Sequence, residues 1–272
     1  MSSALPLPQG YVLIERESVP STNGEAARLA AEGAADGTVV WAHCQTAGRG
    51  RRGRQWASPE GNLYCSILMR PDVPLARAAG LSLVAAVAVG DTVAGFLPAG
   101  RRVQHKWPND VLVEGAKIAG LLLEASGRAG ARVAARRCSE DGGRATPAAG
   151  SDAADWVVVG CGINVAVHPE AKGLSATDLS LELGVRLTVG AVLVSFLDNL
   201  RHWRGRWETA GIAPIRDAWL ARARGLGEAI TVRLPREELQ GQFEGLDETG
   251  ALVLRLADAT TRTISAGDVF FR

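Results

Sequence analysis

From about Gly227 onward the chain changes character, and that change limits every fold it can adopt. Short alternating segments (Ile230–Leu234, Gln240–Leu246, Leu252–Leu256 and Thr261–Ser265) are divided by turns such as Asp247–Gly250. Four or five strands in under fifty residues predict a small β-barrel, a module of its own. The preceding residues mix two periods. Segments 11–16 and 38–43, β-branched and aromatic-rich, predict strands, as does Asn62–Met69. Between the first two, Ser21-Thr22-Asn23 heads an alanine-rich stretch ending near Gly33, which predicts a helix with a hydroxyl or amide cap. Leu75 to about Leu97 predicts a buried helix. Val103–Trp107, Val111–Glu114 and Ile118–Ala125 predict short strands, with a turn at Glu114-Gly115.

Residues 126–154, rich in Ala, Gly, Arg and Asp, hold no sustained period and predict an irregular insertion. Order returns with the strand Trp156–Val159, which runs into GCGINV. Leu193, Phe196, Leu197, Leu200, Arg204 and Trp207 follow helical spacing, so 190–209 predicts an amphipathic helix, and Ile215–Ala223 a shorter one. The whole reads as an α+β chain: a larger unit over 10–224, then the small β unit over 225–272.

Bulk numbers exclude several classes. A length of 272 residues with 47% apolar content supports a real core, and a net charge of +1 argues against a general polyanion binder. The longest nearly uncharged run, Ala78 to Gly90, is short of the roughly 20 residues a membrane span needs. MSSALPLPQG lacks the basic patch and apolar stretch of a signal peptide, so a cytoplasmic protein is expected. Cys44, Cys65, Cys138 and Cys161 stand far apart, indicating neither a zinc site nor a disulfide framework.

Only three of the 30 Lys and Arg side chains are lysines, and two of them, Lys106 and Lys117, fall in KWPNDVLVEGAKIAG. An ammonium is a compact point charge suited to a phosphate or a reacting carboxylate, whereas a guanidinium is a wide planar fork. The second concentration of charge is QTAGRGRRGRQW, residues 45–56. Gly48, Gly50 and Gly53 satisfy the spacing of a dinucleotide fingerprint, but that fingerprint must open a helix, and here Ser58-Pro59-Glu60-Gly61 leads into a strand. A flexible loop dense in arginine is better suited to folding over an anionic ligand, with glycine supplying backbone freedom. The competing reading is a solvated basic stretch of the kind that binds RNA.

Three segments in this order resemble the biotin protein ligase family: the Ser21-Thr22-Asn23 helix start, the GRGRRGRQW loop and KWPNDVLVEGAKIAGLLLE. VVVGCGIN adds a fourth, and the resemblance spans nearly all of the chain except the insertion. It implies a mixed-sheet core related to class II aminoacyl-tRNA synthetases, followed by an SH3-like barrel. It also implies two chemical steps. Biotin's carboxylate attacks the α-phosphate of ATP to give biotinyl-5′-adenylate and pyrophosphate. A lysine of a biotin carboxyl carrier protein then attacks the mixed anhydride and releases AMP.

The resemblance assigns roles by position. Ser21, Thr22, Asn23 and Gln45 match the biotin-binding groups, and short hydroxyls and amides suit a neutral ureido ring. Arg49, Gly50 and Arg51 match the loop that closes on biotin and its adenylate, with Arg54 assisting. Lys117, together with Arg51, carries the expected catalytic role, beside the biotin carboxylate and the α-phosphate. Lys106 and Asn109 are expected to support phosphate or site geometry. Asp110 is expected to hold Mg²⁺ or orient the lysines, or else is a strand-entry turn residue after Pro108. Asn164 resembles an adenine-side contact, or is a turn amide bonded to its own backbone.

About ten residues precede the first strand, too few for the operator-binding winged helix of some members, so no DNA-binding role is expected. A homodimer is plausible by resemblance alone. Two other functions stay open. A lipoate or octanoate ligase or transferase of the same fold would favour a thin apolar tunnel over these polar groups. A nucleic-acid-binding module would rest on the arginine loop alone.

Overall fold

The computed structural model describes residues 5–127, 154–170 and 175–271. Its first sheet takes β1 (Val12–Val19), β2 (Thr38–Gln45), β3 (Leu63–Met69), β4 (Val103–Lys106), β5 (Asp110–Val113), β6 (Ala116–Gly127) and β7 (Ala154–Ile163). They lie in the order β1-β2-β3-β7-β6-β5-β4. β1 runs parallel to β2 and every other pair is antiparallel, so the sheet is mixed, as expected. β3 and β7 are near-continuous apolar runs because both faces of the sheet's centre are covered. The β5–β6 turn is as expected: Glu114 (φ 47) and Gly115 (φ 86) both take the left-handed region that a tight hairpin requires.

Helix α1 (Thr22–Ala31) covers one face, with Ala26 and Ala30 packed on Val40, Leu68 and Val158. Ser21 stands at its N-cap, but the expected capping bond from its side chain is not made. Thr22 and Asn23 are buried in the first turn instead. The opposite face carries α2 (Leu75–Ala78), α3 (Leu81–Phe96), α5 (Val189–Ala210) and α6 (Ala213–Leu220). The single helix expected over this apolar stretch is thus two, α2 and α3, joined through Ala79-Gly80. Leu75–Phe96 together has 22 residues, long and apolar enough by length and composition to cross a membrane, and most of it is buried inside the protein. Its place here is the core: α3 lies between the sheet and α5, as a helix apolar on all sides must. Phe196, Trp207 and Trp219 are fully buried in this layer, and burying one side chain the size of Phe contributes about 3 kcal/mol.

β6 runs to Gly127 and β7 starts at Ala154, so the expected insertion loses Ser126, Gly127 and Ala154 to the ladder. The rest of it, 128–153, lies outside the described residues, as does Cys138. A further helix, α4 (Leu179–Leu183), was not foreseen. Asp178 caps it by accepting from the Leu181 amide, and Gly184 at φ 70 ends it.

The second sheet is wholly antiparallel: β8 (Ala229–Arg233), β9 (Glu238–Leu246), β10 (Leu252–Arg255), β11 (Thr261–Ile264) and β12 (Asp268–Phe271), in the order β11-β10-β9-β8-β12. It shares a core with the first sheet. Trp219 of α6 meets Phe243 edge-on at 6.5 Å between ring centroids, and the Trp107 indole donates to the Gly250 carbonyl at 3.1 Å. That contact sets β12 beside the loop and strand ends of the first sheet.

Candidate active site

A cavity of about 370 Å³ opens on the α1 face of the first sheet, where β12 adjoins it. Every residue to which the resemblance assigns a site role lines it, from Ser21 to Asn164. Its floor is made of glycine. Side chains alternate along a strand, so Gly120 of β6 and Gly160 and Gly162 of β7 all face this side. A Cβ on Gly160 would stand 2.1 Å from Asn23 Oδ1, and one on Gly162 2.8 Å from the Trp56 indole. Only bare backbone lets those side chains lie down on the sheet.

One end of the cavity is neutral. Gln45 Oε1 accepts from the Thr22 amide at 2.8 Å and lies 3.2 Å from the Thr22 hydroxyl, while Gln45 Nε2 donates to Ser58 Oγ at 2.9 Å. The Ser66 hydroxyl donates to Asn23 Oδ1 at 2.6 Å and sits 2.8 Å from the Thr22 hydroxyl. Asn23 Nδ2 donates to the Leu122 carbonyl at 3.2 Å and to Glu124 Oε2 at 2.7 Å. Each group is held by strand backbone or by another held group.

The other end is charged. Lys117 Nζ lies 2.6 Å from Asp110 Oδ1 and 5.0 Å from the centre of the Trp56 ring. Lys106 stands over Phe271 at 5.7 Å and makes no ion pair among the described residues. Burial pushes its pKa down, with Lys117 and Arg224 adding to that and Asp110 opposing it. Asn109 is a brace. Its Nδ2 donates to the Leu121 carbonyl at 2.7 Å, and its Oδ1 faces Arg51 Nη1 at 3.5 Å.

The arginine loop folds as a pinched hairpin. Gly50 N donates to the Arg54 carbonyl at 2.7 Å and Trp56 N to the Gly48 carbonyl at 2.9 Å, around a single 3-10 turn at Arg51–Gly53. Three of its four arginines meet carboxylates: Arg49 with Glu124 at 3.1 Å, and both Arg52 and Arg54 with Asp268 of β12. Arg51 instead donates to the Gly267 carbonyl at 3.3 Å. Burial lowers its pKa, with Asp268 acting against that. A guanidinium partly desolvated and without a carboxylate among the described residues is the one best placed to accept an anionic ligand.

Asn164 is tied to the chain itself. It borders the cavity, but it is buried and its Nδ2 donates to the Thr177 carbonyl at 3.0 Å. Its amide ties two segments of the chain together. Asp110 pairs with Lys117 across the β5–β6 hairpin. Sequence reasoning missed Ser58, Ser66, Glu124 and Asp268. Ser66 had a signal, a hydroxyl inside the apolar run LYCSILM, and Glu124 ends LLLE in the same way. Asp268 had none, because it acts across two sheets.

Known proteins share this arrangement of sequence and fold. The biotin/lipoate A/B protein ligase family matches residues 15–135, and the biotin protein ligase C-terminal domain matches 225–272. A biotin--[acetyl-CoA-carboxylase] ligase of Paracoccus denitrificans is 40% identical over 257 residues, 92% of this chain and 97% of that protein. The bifunctional ligase/repressor BirA of Bacillus subtilis is 34% identical over 263 residues, 94% of this chain and 73% of that protein. A solved biotin protein ligase from Aquifex aeolicus, in complex with biotin and ATP, matches with a TM-score of 0.73 at 26% identity, over 96% of this chain and 98% of that one. The neutral end, the paired lysine and the arginine hairpin thus sit in a chain that is similar to biotin ligases along almost its entire length. This chain belongs to the biotin protein ligase family.

Proposed function

We propose that the chain is an ATP-dependent biotin protein ligase that forms biotinyl-5′-AMP and passes the biotinyl group to a lysine of a biotin carboxyl carrier protein. One observation carries the reading: a neutral, hydrogen-bonding end and a cationic end meet in one cavity with Lys117 at the charged side, over the glycine floor. Thr22, Asn23, Gln45 and Ser21 receive the ureido ring, whose N–H groups and carbonyl need both acceptors and donors. Biotin's carboxylate then points toward Lys117. Its oxygen attacks the α-phosphorus and pyrophosphate leaves. The Lys117 ammonium holds the two anions together and offsets the charge that builds on phosphorus. Asp110 keeps that ammonium in place, and Arg51 covers the phosphate from the loop.

Closure of the hairpin excludes water from the anhydride until the carrier's amine attacks the acyl carbon and AMP departs. No nucleophile from the chain is needed. Lys106, Asn109 and Arg54 support the leaving phosphates and the loop. Mg²⁺ needs only one or two carboxylates besides the phosphates that carry it, and Asp110 is the side chain placed to supply one; no cluster of three metal-binding side chains exists among the described residues. It would neutralise phosphate charge there. Residues 10–224 form the catalytic unit, of class II aminoacyl-tRNA synthetase type, and 225–272 an SH3-like barrel that supplies Asp268 to the loop.

The measurement that tests this is pyrophosphate–ATP exchange with biotin, lipoate or octanoate supplied in parallel. Exchange with biotin alone is expected. Exchange with lipoate or octanoate would overturn the ring-end assignment while leaving the adenylation chemistry, and no exchange with any acid would overturn the function.

A further inference from the structure

We propose that Glu124 is a positioning residue that ties the biotin-ring end of the pocket to the closing loop, through one carboxylate oxygen shared by Asn23 and Arg49. The inference rests on the ligase reading above and adds a residue to it. Glu124 lies on β6, on the same face as Gly120 of the pocket floor, opposite Val158 of β7. Its Oε2 accepts from Asn23 Nδ2 at 2.7 Å and from Arg49 Nη2 at 3.1 Å.

Each contact does something different. The Asn23 carboxamide has two possible orientations. In the one observed, both amide hydrogens meet acceptors, Glu124 and the Leu122 carbonyl, and Oδ1 meets the Ser66 hydroxyl. Flipping the amide would set its oxygen against two acceptors, one of them charged, so Glu124 locks the orientation. The second contact fixes the start of the arginine hairpin. Arg49 follows Gly48, and the Gly48 carbonyl closes the hairpin with Trp56. Pinning Arg49 holds the near side of the loop over the ring end, while Asp268 holds the far side through Arg52 and Arg54. Because a single oxygen serves both partners, a ligand that draws on Asn23 also bears on the loop. The side chain is about one-third exposed, so the Arg49 pair is open to solvent screening, whereas Asn23 is buried.

Glu124→Ala and Glu124→Gln separate the two contacts, since a glutamine carbonyl still accepts from Asn23 but carries no charge for Arg49. Three quantities are compared with wild type: biotin KM and kcat in pyrophosphate–ATP exchange, and the half-life of enzyme-bound biotinyl-adenylate. Glu124→Ala is expected to raise biotin KM about tenfold, through the lost charge-assisted hydrogen bond, with kcat changed by less than about twofold. Glu124→Gln is expected to restore KM to within about threefold of wild type, yet still shorten the adenylate half-life about threefold, as loss of an exposed pair implies. A residue that merely supports the fold would move kcat, KM and melting temperature together, and the glutamine variant would not split them. The proposal is overturned if Glu124→Ala leaves KM and half-life unchanged, if Glu124→Gln is as impaired in KM as the alanine variant, or if only kcat falls. Wild-type exchange with biotin reports on the ligase reading itself; only the ratios of variant to wild type report on Glu124.

Discussion

At the neutral end of the pocket, Thr22, Asn23, Gln45, Ser58 and Ser66 bond to one another and to strand backbone. At the charged end and along the loop that spans the cavity, Lys117, Arg49, Arg52 and Arg54 are each met by a carboxylate of the chain itself, Glu124 serving both Arg49 and the neutral end's Asn23. The difference shows how one cavity handles two kinds of ligand chemistry. Neutral groups cost little to hold in place, so their geometry is built into the sheet. A cluster of cations repels itself, so Asp110, Asp268 and Glu124 hold it in balance until phosphates share those cations. Lys106 and Arg51 stand outside these pairs, and burial lowers the pKa of both. They mark where anion binding should gain most.

The strongest break of the charged end is Lys117→Ala. It is expected to lower biotin-dependent pyrophosphate exchange about 10²–10³-fold, the range for losing one transition-state charge partner. Lys117→Arg should rescue little of that, because a planar fork replaces a point charge between Asp110 and Trp56. Wild-type exchange rates in Lys117→Ala would remove this residue from the chemistry and leave the two ends without a junction.

Both ends also rest on a common frame, which acid can test. His105, one residue before Lys106, is buried, with Nδ1 near the Trp219 carbonyl at 3.1 Å and no hydrogen-bond partner on Nε2 among the described residues. Burial pushes its pKa down to about 4, Arg222 pushing the same way. The unfolded chain therefore takes up a proton that the folded chain refuses as pH falls below the ordinary histidine value near 6.5. Stability is complete above that value and is expected to drop by about 3 kcal/mol between pH 6.5 and 4. Urea unfolding at several pH values measures it. His105→Asn should flatten that part of the profile, and an equal slope in the variant would show that other groups cause the loss.

At the neutral end the corresponding test is Gly160→Ala. The added methyl would meet Asn23 Oδ1 at 2.1 Å, and Asn23 is held on three sides. A destabilisation of about 1–3 kcal/mol is expected, as for overpacking, together with a raised biotin KM and little change in the KM for ATP. Equal effects on both substrates would mean that the two ends are not separate.

Much of the fold and site was legible in the sequence because it is local. Alternating apolar segments marked the strands, and a left-handed pair at Glu114-Gly115 marked a hairpin. Two motifs, the arginine loop and KWPNDVLVEGAK, held Arg51, Asn109, Asp110 and Lys117, which do converge on one cavity. Other features depended on what arrives from elsewhere. Ser21 stands at the helix cap, but the sheet beneath α1 draws the following Thr22 and Asn23 inward, and no capping bond from the Ser21 side chain forms. Asn164 borders the cavity, and a carbonyl thirteen residues away takes its amide, a bond that only the fold supplies.

The sequence by itself determined which elements form and which chemical groups the site has to work with, since helix and strand periods, turn glycines and the lysine–arginine contrast are written in adjacent residues. Tertiary structure alone decided which acid meets which base. Arg49 finds Glu124 across 75 positions and Arg52 finds Asp268 across 216. The physical reason is range. Hydrogen bonds, including those within these ion pairs, form only when donor and acceptor stand about 3 Å apart. The order β3-β7-β6 and the seating of β12 bring such atoms that close, and both are set by burial of the shared core, which no short stretch of chain contains.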